Sequence, residues 1–184
     1  MDSLQKKNNQ LIPFLVALIG SALMILTLFL PYTSATKDFA ERIDSYPEAL
    51  AYSDTDIKVS DVKNVSMVQY ASMYGSNSKE ILHQSSAGIL YVSIVIGIGV
   101  FSILSLIFAL RKKSIPIIIF DVLAFILFAV LCWDFKDRGL MEMAYNWGVG
   151  YYLFYVGAIL ALAGAILLIV TKNKNKKQPK ENVN

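Results

Sequence analysis

Residues 87–133 read "AGILYVSIVIGIGVFSILSLIFALRKKSIPIIIFDVLAFILFAVLCW". Two apolar runs, 87–110 and 115–133, flank a basic link at 111–114, and a single acid, Asp121, interrupts the second run. A helix needs about 20 residues to cross the hydrocarbon layer of a bilayer. Lipid offers a spanning backbone only two forms, the helix and the closed barrel. Neither run alternates at two-residue spacing, so both are read as transmembrane helices.

Two further uncharged runs occupy 11–30 and 147–170. The expected fold is therefore all-α: an integral membrane four-helix transmembrane bundle, with a helical extracytoplasmic loop subdomain between helices one and two. The expected division is an N-terminus at 1–10, spans at 11–30, 87–110, 115–133 and 147–170, and the link at 111–114. Outer segments fill 31–86 and 134–146, and a disordered tail fills 171–184. Composition agrees, since 55% of the 184 residues are hydrophobic and only 17% are charged, against about a quarter charged in water-soluble domains.

Basic residues set the orientation. Lys6 and Lys7, Arg111, Lys112 and Lys113, and Lys172, Lys174, Lys176, Lys177 and Lys180 supply ten of the 17 lysines and arginines. The segments 31–86 and 134–146 hold seven basic and eleven acidic residues. The positive-inside rule then puts both termini and the 111–114 link in the cytoplasm, where membrane lipids with anionic heads can meet them. The basic excess is assigned to those edges, and no nucleic acid is expected as a partner. A rival reading takes the N-terminus as a signal peptide cleaved near Ala35, but its apolar run exceeds the 7 to 15 residues usual for such peptides. The cysteine-free outer segments and the Lys- and Asn-rich ends point to a bacterial cytoplasmic membrane.

Within 31–86, "TKDFAERIDSYPEAL" places Phe39, Ile43 and Tyr46 at helical spacing before Pro47. A second helix is expected to open with Ser60 as N-cap and to end at Gly75, with Ser78 capping a last turn before the next span. A strand at "DIKVSDV" is the alternative. This layout, with a large first outer loop and a small second one, resembles claudins and other tetraspan proteins. The claudin first loop carries tryptophans and a cysteine pair, whereas 31–86 contains neither residue type, and tetraspanins place their large loop after the third helix. The resemblance covers topology alone and implies no residue role.

Small residues suggest how the helices pack, because close approach in lipid needs small side chains. Gly150, Gly157, Ala161 and Gly164 form such a stripe on the last helix, suited to packing within the chain or to a homo-oligomer. Asp121 should face the bundle, since an acid at the centre of a span costs about 2.5–3.5 kcal/mol on insertion scales. At matching depth lie Ser21, Ser102 and Ser105, and together these four form the candidate intramembrane polar site. The outer end offers a second group, Asp134, Lys136, Asp137, Arg138 and Glu142 with His83, read as a polar vestibule or as a charge-compensated hairpin. Cys132, the single cysteine, is read as an apolar filler.

Catalytic signatures are missing from the sequence. There is no second intramembrane aspartate, no His-Glu-x-x-His, no Gly-x-Ser-x-Gly and no phosphate loop, so no catalytic residue, metal or cofactor is expected. Two functions stay open. The first is a non-catalytic accessory, adaptor or protective subunit that binds another membrane or envelope component through its outer loop and helix faces. The second is a small transporter or channel subunit that uses Asp121 for protons or cations.

Overall fold

The computed structural model describes residues 10–52, 55–82, 85–141 and 143–177. Helix dominates, and three helices are long and apolar enough to cross a membrane: α4 (Ser85–Leu110), α5 (Ser114–Asp137) and α6 (Val149–Lys177). The first helix, α1, covers Leu11–Thr27 and stops at 17 residues, short of the expected 11–30. Its end has a local cause. The Thr27 hydroxyl donates to the Met24 carbonyl at 2.7 Å, Leu28 closes the last turn, and Pro31 disfavours helix at the residue before it.

These four helices pack in a ring, with α1 against α4 and α6, and α5 against α4 and α6. The buried face of α5 runs Ser114, Ile117, Asp121, Ala124, Phe128, Leu131 and Phe135, alternating steps of three and four. That spacing is the seam of one helix lying nearly antiparallel to its neighbours. The contact between α1 and α6 is closer still. A Cβ on Gly20 would sit 2.6 Å from the Gly157 carbonyl oxygen, and one on Gly164 would overlap the backbone of Ala17.

The all-α expectation misses a sheet. Strand β1 (Pro31–Ala35) directly follows α1, β2 (Asn64–Ser66) lies mid-loop, and β3 (Tyr145–Trp147) directly precedes α6. They pair antiparallel in the order β2-β1-β3, with Thr33 opposite both Val65 and Trp147. The strand therefore falls at 64–66, beyond the "DIKVSDV" stretch, whose last four residues form a 3-10 turn, Val59–Val62. The end of α5 and β3 also take up both edges of the expected 134–146 loop.

Two cap helices complete the end of the bundle opposite the 111–114 link. α2 (Lys37–Ser45) buries Ile43 and stops ahead of Pro47. α3 (Met67–Leu82) begins seven residues after Ser60, because a different serine caps it. The Ser66 hydroxyl accepts the Gln69 N–H at 3.2 Å, and the Gln69 side-chain oxygen accepts the Ser66 N–H at 2.9 Å, a reciprocal capping box. Nor does Gly75 end α3. Its missing side chain admits Val92 of α4, and the kink comes at Asn77, with φ −126° and ψ 28°.

Candidate functional site

Depth in the bundle is fixed by ring contacts. Phe120 of α5 stacks between Phe101 and Phe108 of α4, at centroid distances of 6.1 and 5.5 Å. Asp121 therefore lies at the level of Ser102 and Ser105. Ser21 of α1 joins that level, its Oγ 3.0 Å from the Ser105 Oγ. All four side chains are fully buried. The hydroxyls are committed to one another and to the backbone: Ser21 donates to the Ala17 carbonyl and Ser102 to the Ile98 carbonyl. Both carboxyl oxygens of Asp121 have no hydrogen-bond partner among the described residues. An uncompensated ion would be costly in such surroundings.

The helix-packing residues meet α1 and the chain that follows it. Gly157, Ala161 and Gly164 lie against Gly20, Met24 and Ala17, and Gly150 lies against the Leu30 and Pro31 carbonyls. That stripe is occupied within the chain.

The vestibule residues separate. Asp134 and Arg138 form an ion pair, Nε to Oδ2 3.1 Å, one helical turn apart on α5. Tyr91 of α4 donates its hydroxyl to Asp134 Oδ1 at 2.8 Å. The Arg138 guanidinium also covers the rings of Tyr91 and Tyr74, 4.6 and 5.4 Å from their centroids. Lys136 and Asp137 point outward and are exposed. Glu142 and His83 lie outside the described residues, as do Lys6, Lys7 and Lys180 of the basic flanks. Asp134 and Arg138 thus form a latch that ties α5 to α3 and α4.

The sequence reading missed an aromatic chamber beside that latch. Thr33, Tyr70, Tyr74, Phe135 and Tyr145 enclose a cavity of about 50 Å³ between sheet and helices, room for one or two waters. Thr33 Oγ1 and the Tyr70 hydroxyl are buried there without a partner among the described residues. Tyr145 instead donates to the Val62 carbonyl at 2.9 Å. Burial holds the phenols protonated. Tyr74 is pushed up to about 12, with the Tyr52 phenol adding to the effect and Arg138 opposing it. Tyr70 and Tyr145 are raised further, by burial first. The only prior signal was the density of Tyr and Met across 67–74.

Chemically, the described residues supply latches and packing. No three His, Cys, Asp or Glu side chains among them converge on a metal position. Neither the sequence nor the fold matches a known family model, a curated protein or a solved structure.

Proposed function

We propose that the chain is a four-pass accessory or adaptor subunit of a cell membrane, with its termini and the 111–114 link on the cytoplasmic side. In this reading α1 is the fourth crossing, carried to membrane depth by its backbone contact with α6. The cap then faces outward and engages another membrane or envelope component. One observation carries the reading: residues 44–50 are all exposed, and Tyr46 and Leu50 within them are 72% and 56% exposed. They lie beyond any apolar span, so lipid does not account for them, and large apolar groups gathered at one tip favour a protein partner.

Photocrosslinking tests this in native membranes, with a reactive amino acid at position 46 or 50. A single discrete adduct from both positions, lost on replacing the other residue with Asp, is the expected result. Absence of any adduct from either position would sink the proposal.

The second reading, a small transporter or channel subunit, is favoured by the partnerless Asp121 carboxyl. It requires that the purified chain move protons or cations across liposomes and that Asp121→Asn abolish the flux. Under the adaptor reading the same variant keeps its fold and its adduct, and wild type shows no flux.

A further inference from the structure

The basic end of the bundle contains a cavity of about 580 Å³ between the start of α5 and the end of α6. Lys113, Ser114, Ile115, Pro116, Ile169 and Lys172 contribute to its wall, and no acidic residue does among the described residues. Lys172 reaches across the gap and donates its ammonium to the Lys112 carbonyl. One bond leaves two of the three ammonium protons unspent. The first turn of α5 adds donors, because the N–H groups of Ser114 and Ile115 have no carbonyl within the helix to bond. This helix is 24 residues long, and its positive dipole end favours an anion.

A second observation is independent of the helix end. Ser114 is 5% exposed, and its Oγ has no hydrogen-bond partner among the described residues. A buried hydroxyl left unpaired is costly, and an oxygen-rich anion in the cavity would relieve it. Ile115, Pro116 and Ile169 give the same cavity an apolar side, at the ends of two helices that are apolar enough to cross a membrane.

We propose that this cavity binds the phosphate of an anionic phospholipid. Lys113, Lys172 and the first turn of α5 would hold the headgroup, and an acyl chain would run along the apolar side. Free phosphate shares the headgroup chemistry but would leave that apolar side unused. The inference is independent of the cap's role and of which face of the membrane the basic end occupies.

Native mass spectrometry of the full chain tests it, after release from nanodiscs of equal parts phosphatidylglycerol and phosphatidylcholine. One phosphatidylglycerol per chain should be retained in preference to phosphatidylcholine. Replacing Lys113 and Lys172 together with Gln should lower that preference about thirtyfold. Ser114→Ala, which removes no charge, should lower it about fivefold. Arg111→Gln with Lys174→Gln removes the same charge from exposed positions at the same end, and should leave the preference nearly intact. Three results would overturn the proposal: equal retention of the two lipids, an equal loss in the control pair, or saturation by inorganic phosphate with no lipid retained.

Discussion

Where α5 faces α6 and the cap the contact is made by rings, whereas α1 and α6 touch through bare backbone. Along the ring seam Phe128 stacks on Phe154 at 3.9 Å, and Tyr32 meets Phe128 and Phe135 edge-on. The same ring network runs on through Tyr70 into the cap. Along the other seam Ala17, Gly20, Gly157, Ala161 and Gly164 bring the backbones of α1 and α6 together. The contrast lies in compliance. A ring can turn about its χ angles to fill altered space, but a backbone contact has no rotamer to change.

Unequal tolerance to substitution follows. Gly164→Leu should have the largest effect, above about 3 kcal/mol, because its Cβ would overlap the Ala17 backbone and force the helices apart. Thermal unfolding in detergent reads this directly, and a variant as stable as wild type would erase the distinction between the two seams.

The ring seam should instead fail in alkali. Tyr74 is held near 12 in the folded chain, above the ordinary phenol value of about 10. The folded state therefore keeps a proton that the unfolded state loses. Stability attached to this group is complete below pH 10 and declines between pH 10 and 12, by on the order of 2 kcal/mol. Near-UV absorbance of the phenolate, followed alongside unfolding, should show cap tyrosines ionising as the cap opens. Ionisation at pH 10 with the cap intact would contradict the buried-phenol account. The smallest effect belongs to Phe128→Leu, about 1 kcal/mol, since the aliphatic chain refills part of the volume and loses mainly the stacking. A loss matching that of Gly164→Leu would mean that the rings are as unforgiving as the glycines.

Legibility in the sequence follows the strength of the local signal. Long apolar runs such as 87–110 announce themselves, since a span must be apolar over its whole length. A carboxylate is expensive in hydrocarbon, so Asp121 belongs inside, and the structure buries it fully. Strands of three to five residues carry too few alternations to register, and β1 finds its second partner, β3, only far along the chain, Thr33 opposite Trp147. Ser66 and Gln69 did offer a legible capping box, but Ser60 stood at the head of a stretch that looked equally helical. The aromatic chamber could not be read, because its walls come from β1, α3, α5 and β3 and share no single periodicity.

The pairing of β1 with β3 carries a mechanical consequence. It joins the residue just past the first helix to the residue just before the last, so those helices are pinned at the cap as well as at Gly20 and Gly164. A piston stroke of one helix along the other would have to break both pins at once. The sheet and the contacts at Gly20 and Gly164 thus make α1 and α6 a single post, against which the hairpin of α4 and α5 packs.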